Sequence, residues 1–467
     1  QMWWEWVKRA HDGGLRVMVA LTVNSELLAE ILNGSPPYDD RSVAERQIAE
    51  TIRMVNNHRD FMEVATSSAD VMRIVAEGKL AVVLGMEVDR IGNWGAQSSP
   101  GDSEVRDEIR HLHDLGIRYA FPVHLVDNAF GGSAVYSPLF SFANKRANGY
   151  HSLVQHSADP DVTYNAGEIE GIPITHGLGN MSVTLLRGLM DAIGDLPTTC
   201  TDFSSFPPCI GQVWCCGSYR ETTALLAPSP EIEAYKDILP GHVNVKGLAP
   251  AGAVAIDEMM KLGMFIDLDH MSQRTQEQVI QMAEAAGAVT GGPGYPLMFG
   301  HGGLREPGSS ERLPPRALVE RVKALGGMFG AGTADATPDQ FIQTFQGLRT
   351  VMDAGSVAIG TDINGFEKSP RRSEDCQIGA GAGASQQFYQ RFLSESGLTT
   401  RSTLGNRTWD YVLDCGVSHY GLMPEFLFDV GTFHGDAGEA VRDDLMKSVG
   451  GFIKTWQRIE SASARLQ

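Results

Sequence analysis

Seven short apolar runs recur along this chain, most of them preceded by an amphipathic helical pattern that closes on glycine. They are LRVMVALTV (15–23), LAVVLGME (80–87), IRYAFPVH (117–124), MFIDLDH (264–270), YPLMFGH (295–301), GMFGAGT (327–333) and SVAIGTD (356–362). Runs this short and this uniformly apolar suit parallel strands covered on both faces. Gly14, Gly78, Gly116, Gly263, Gly326 and Gly355 stand just before six of them, where a helix ends on the left-handed residue that glycine adopts most readily. Between the runs, SVAERQIAETIRMVNN, AGAVAIDEMMKLG, QRTQEQVIQMAEAAG and PRALVERVKALG place apolar residues at helical spacing. Helix alternating with parallel strand predicts an α/β fold, and the simplest closed form is a (β/α)8 TIM-type barrel. The opening residues QMWWEWVKRAHDGG read as an amphipathic helix with no N-cap. The eighth strand, first in barrel order, is therefore expected upstream of Gln1.

One interval breaks the rhythm. Residues 137–245 are rich in Gly, Pro, Ser and aromatics, with little strand–helix alternation. They follow a strand's C-terminal end, so they are expected over the barrel mouth as a lid or oligomer contact. The expected division is barrel over 1–136, insertion over 137–245, barrel again over 246–366, and an irregular then helical segment over 367–467, its irregular part being 367–400 with the run GAGAGAS.

Five of the apolar runs end on a residue able to bind a metal or move a proton: Glu87, His124, His270, His301 and Asp362. Side by side, parallel strands bring their C-terminal ends together, so five scattered residues become one site. Glu87, His270 and His301 are the metal candidates, because a carboxylate and neutral imidazoles suit a divalent cation and a buried Glu87 needs a cation or donor. Asp362, in GTDING, suits a proton shuttle, or equally the cap of an Asp-x-Asn-Gly turn. His124 suits a donor to a developing oxyanion. Arg312 could hold a substrate carboxylate in bidentate fashion or be solvated on its loop. His111 and His113 point to different sides of a helix, and His58–Arg59–Asp60 lies at a helix-to-loop junction. Neither a G-x-S-x-G elbow nor a phosphate-binding glycine loop between strand and helix occurs.

Composition narrows the partners. A formal net charge of -19 disfavours nucleic acid and anionic membrane surfaces. No apolar run is long enough to span a bilayer. Six cysteines occur, and Cys200, Cys209, Cys215 and Cys216 crowd the insertion without C-x-x-C spacing. That pattern points to a disulfide-stapled loop and an extracytoplasmic (periplasmic or secreted) setting.

The segments EGKLAVVLGMEVD, LGIRYAFPVHLVDN, GLAPAGAVAIDEMMKLGMFIDLDHMS, PLMFGH and VAIGTDING together resemble the membrane dipeptidase (renal dipeptidase) family of metal-dependent amidohydrolase barrels. VGGFIKTWQRIE is similar to that family's closing helix. The resemblance implies a zinc-dependent hydrolase of dipeptides or related small amides, with two zinc ions bridged by Glu87 and the second bound by His270 and His301. It implies substrate contacts from His124, Asn128 and Arg312, with Asp362 as the acid/base. The family's His-x-Asp on its first strand, which binds the other zinc, is not in this sequence. Whether one or two zinc ions bind then depends on residues upstream of Gln1, on the same chain or a separate N-terminal fragment. Two alternatives stay open: a non-catalytic barrel used for binding or assembly, and a metal hydrolase of non-peptide substrates; a homo-oligomer is compatible with each reading.

Overall fold

A computed structural model describes residues 3–33, 38–150, 152–164, 241–363, 369–373 and 381–467. Each of the seven apolar runs forms a strand: β1 (Val17–Asn24), β2 (Leu80–Val88), β3 (Tyr119–Phe121), β4 (Phe265–Ile266), β5 (Met298–Gly302), β6 (Met328–Gly332) and β7 (Val357–Gly360). They lie parallel and in chain order. Ladders join β1 to β2, β2 to β3, β3 to β4, β5 to β6 and β6 to β7. A parallel bridge from Asp267 to Met298 joins β4 to β5. This is the TIM-type α/β architecture, with helices on the outside. Among the described residues nothing pairs β1 with β7. All nine residues of β2 are buried, as befits a strand covered on both faces.

The six glycines before the strands have φ between 71° and 113°. They are the left-handed helix ends that the pattern predicts. A different glycine set explains the glycine-rich β5, β6 and β7. A Cβ at Gly330 or at Gly360 would overlap the carbonyl oxygen of Gly300, so the three strands close together only because these positions lack side chains.

The opening tryptophans find partners across the fold. Trp4 stacks on His58 with centroids 4.2 Å apart, and Trp6 on His419 at 4.1 Å. His58 ends the helix Asp40–Asn57, which removes it from the strand-end chemistry. The helix Ser448–Leu466 buries Phe452 and Trp456 against Phe265 at the start of β4.

Part of the expected irregular stretch is ordered. Ala382–Glu395 is a helix, held because Phe388, Tyr389 and Phe392 are buried on it. Its alanine and glycine start masked that stripe in the sequence. The insertion's described ends pair with each other, Val154–His156 running antiparallel to His242–Asn244. The cysteine cluster lies outside the described residues. Cys415 is disulfide-bonded. No helix among the described residues is long and apolar enough to cross a membrane.

Candidate metal centre at the strand ends

The barrel's C-terminal ends bring Glu87, His124, His270, His301 and Asp362 into one cluster. Glu87, near the end of β2, lies at the centre. Its Oε1 is 3.1 Å from His270 Nε2, 3.6 Å from His301 Nε2 and 3.7 Å from His124 Nε2. His270 Nε2 and His301 Nε2 are 2.8 Å apart, and Asp362 Oδ2 is 3.8 Å from His301 Nε2. Glu87, His124 and His270 can offer ligand atoms all within 4.8 Å of one another. Arg312 stands at the rim, with Nη2 donating to the His301 carbonyl at 3.2 Å and the guanidinium 5.3 Å from the Tyr136 ring centroid.

Two members are held in backbone conformations that side-chain-bearing residues seldom adopt. His270 has φ 65° and Asp362 φ 47°. Single residues in this region cost on the order of 1 kcal/mol or more and collect at functional sites. In DLDHMS, ordinary strand alternation would aim His270 away from the face of Asp267 and Asp269. The left-handed turn redirects it.

The electrostatics are those of a cation site. Neither Glu87 oxygen makes a hydrogen bond, although the carboxylate is buried. Burial pushes its carboxyl above the usual range, and Asp269 and Asp89 nearby add to the rise. Burial also lowers His270, well below an ordinary histidine, with His124 and His301 adding to it, and burial lowers His301 as well. Both imidazoles are therefore neutral. Their far nitrogens have their own partners: His270 Nδ1 lies 2.9 Å from the Tyr136 hydroxyl, and His301 Nδ1 3.4 Å from Asp269 Oδ2. A proton on each Nδ1 leaves both Nε2 lone pairs facing Glu87. Two lone pairs 2.8 Å apart beside a bare carboxylate repel unless a proton or cation lies against them. The donor set fits a divalent cation.

His124 behaves differently. Burial pulls its pKa down, but Asp89, 3.0 Å from Nδ1, and Glu87 outweigh that and raise it to about 9. Without a cation beside it, that favours the imidazolium, which donates. Asp362 is pushed up to about 6, first by burial and then by Glu87.

Asn128 is not in the cluster. Its amide nitrogen donates to the Asp89 and Pro122 carbonyls, and its oxygen accepts from the backbone N–H groups of Phe130 and Gly131. Those four bonds exhaust an asparagine side chain, and through them Asn128 shapes the loop after β3. Sequence reading passed over Asp89, Asp269 and Tyr136. The first two carry a local signal, lying two residues beyond Glu87 and Asp267 just past the strand ends. Tyr136 carries none, since only the path of the loop after β3 brings it to His270.

A family profile described as membrane dipeptidase (peptidase family M19) matches residues 7–150 and 233–378, more than half of the chain. The chain belongs to the membrane dipeptidase family. Among curated members of similar sequence, the uncharacterized dipeptidase C965.12 of Schizosaccharomyces pombe is 27% identical over 145 residues, 29% of this chain and 32% of that protein. Mouse dipeptidase 3 is 25% identical over 142 residues, 29% of this chain and 27% of that protein. The matches thus span about a third or less of these relatives' length. The probable dipeptidase PvdM from Pseudomonas aeruginosa shares the fold, with a TM-score of 0.51 at 13% identity over 98% of this chain and 88% of that one.

The raised Asp362 value carries a sign that can be tested in this M19 member without metal. An acid whose pKa is higher folded than unfolded favours the folded state below its unfolded value. That advantage is lost as pH rises through the folded value. His270 and His301, lowered by burial, contribute with the opposite sign, and His124, raised, with the same sign, so the comparison must be with Asp362→Asn. In chelator, wild type should lose up to about 3 kcal/mol relative to that variant between pH 4 and pH 7. Urea unfolding of both proteins at each pH measures it, and a pH-independent difference would contradict the assignment.

Proposed function

We propose that this chain is a zinc-dependent hydrolase of dipeptides or related small amides. The observation that carries the reading is Glu87, a buried carboxylate with no hydrogen bond, facing the Nε2 atoms of His270 and His301 at the strand ends. Glu87, His270 and His301 would hold the cation. Such a cation supplies Lewis-acid polarisation of the substrate carbonyl and makes water acidic enough to attack near neutral pH. Asp362 takes the proton of the attacking water and passes it to the leaving amine. The His124 imidazolium, oriented by Asp89, donates to the oxyanion that develops on the carbonyl. Arg312, held between the His301 carbonyl and the Tyr136 ring, pairs with the free carboxylate of the dipeptide. Tyr136 and Asp269 act through the histidines whose Nδ1 they face, as positioning residues.

The test is metal content and hydrolysis by the full chain, assayed on free dipeptides, their C-terminal amides and a lactone. Free dipeptides should be cleaved, chelation should stop the reaction, and added zinc should restore it. C-terminal amidation should raise KM about tenfold or more by removing the partner of Arg312. Turnover of the lactone alone would favour a hydrolase of non-peptide substrates. Bound zinc with no turnover of any substrate would favour a non-catalytic barrel.

A further inference from the structure

A groove of about 370 Å³ opens at the end of the barrel opposite the strand-end cluster, between the helix Ser448–Leu466 and the loop that enters β5. Its charge is at odds with the rest of the molecule. In a chain of net charge -19, the groove is lined by Lys454, Arg458 and Arg465 and by no carboxylate. None of the three makes an ion pair with a carboxylate among the described residues. Like charges gathered in one groove repel, and an anion placed among them relieves that repulsion.

The groove is also preorganised. Arg458 Nη1 donates to the Gly326 carbonyl at 3.2 Å, and Arg465 Nη1 donates to the Thr290 carbonyl. Each bond fixes one edge of a guanidinium and leaves its other N–H groups for a ligand. A second feature points the same way. Thr290 lines the groove, is 4% exposed, and its buried hydroxyl has no hydrogen-bond partner. Its Oγ1 would lie 4.0 Å from a Cβ added at Gly292, whose missing side chain leaves that part of the wall open.

We propose that this groove is a binding site for a phosphoryl-bearing anion, held by Lys454, Arg458 and Arg465. Planar guanidinium edges and an ammonium point charge are the donors that phosphoryl oxygens take. The volume admits a small molecule bearing one or two such groups, or the headgroup of an acidic phospholipid. The inference stands apart from the hydrolase reading, since it uses no residue of the strand-end cluster.

Calorimetric titration of the chelator-treated full chain with pyrophosphate, at low ionic strength, tests it. One saturable site is expected, weakening as salt is raised. Lys454→Gln, an exposed change, should raise Kd about fivefold, and Lys454→Gln with Arg458→Gln tenfold or more. Circular dichroism confirms that both variants fold. Co-sedimentation with phosphatidylcholine vesicles, with and without phosphatidic acid, separates the two sources. Binding to acidic vesicles far stronger than to free pyrophosphate, lost in the double variant, assigns the headgroup; the reverse assigns the soluble ligand. No saturable binding of either probe overturns the proposal. So does binding unchanged by Lys454→Gln and abolished by His301→Ala, which would place the anion at the strand ends.

Discussion

Glu87→Gln is expected to lower zinc affinity by more than about a hundredfold and kcat/KM on dipeptides by about a thousandfold. Losing a partner of a ligand costs about 10- to 100-fold in metal affinity, and Glu87 would be a ligand itself. The same residue lends the cluster its only carboxylate within 3.1 Å of a histidine Nε2 among the described residues. About 4 kcal/mol of transition-state stabilisation, which a polarising cation can supply, corresponds to the rate loss. The metal-free protein should respond in the opposite sense. Its buried carboxylate has no hydrogen bond, so a neutral amide there should hold or raise stability while activity collapses. Zinc titration, steady-state kinetics and urea unfolding read the three effects. Wild-type zinc affinity in the variant would remove Glu87 from the ligand set.

Glu311→Ala should cost about 3–5 kcal/mol of stability, the range for stripping the partner from buried charged or hydrogen-bonded groups. Glu311 is fully buried beside Arg312. Its carboxylate accepts the backbone N–H groups of Val135 at 2.8 Å, Asn244 at 2.7 Å and Gln273 at 3.0 Å. Those three donors belong to the loop after β3, the last strand of the insertion and the helix after β4. One side chain thus ties together the segments that carry Tyr136 and flank His270. Denaturant unfolding measures the loss. Glu311→Gln, which keeps an acceptor, should lose less than half as much. Equal losses in the two variants would mean that the hydrogen bonds are not what the carboxylate contributes.

The barrel was legible because its signals are local. An apolar run followed by a chemical residue, and a glycine closing each helix, are written within a dozen residues. Glu87, His124, His270, His301 and Asp362 were legible for the same reason, since parallel strands in chain order must bring their C-terminal ends to one face. The helix Ala382–Glu395 was not. Its apolar stripe is short and begins in alanine and glycine, so only packing of Phe388, Tyr389 and Phe392 selects it.

By itself the sequence determined seven of the parallel strands, their order and the chemical residues at their ends, all consequences of hydrophobic period and covalent neighbourhood, but not the short parallel strand Met62–Val64 that pairs with the start of β2. Tertiary structure alone decided how those residues are held. It placed Tyr136 against His270 across 134 positions of chain. It spent all four hydrogen bonds of Asn128 on backbone, and it closed three glycines of β5, β6 and β7 on one another. The physical reason is one of range. Hydrophobic periodicity acts between residues a few positions apart, whereas tautomer, pKa and hydrogen-bond partner depend on which distant groups share a buried volume.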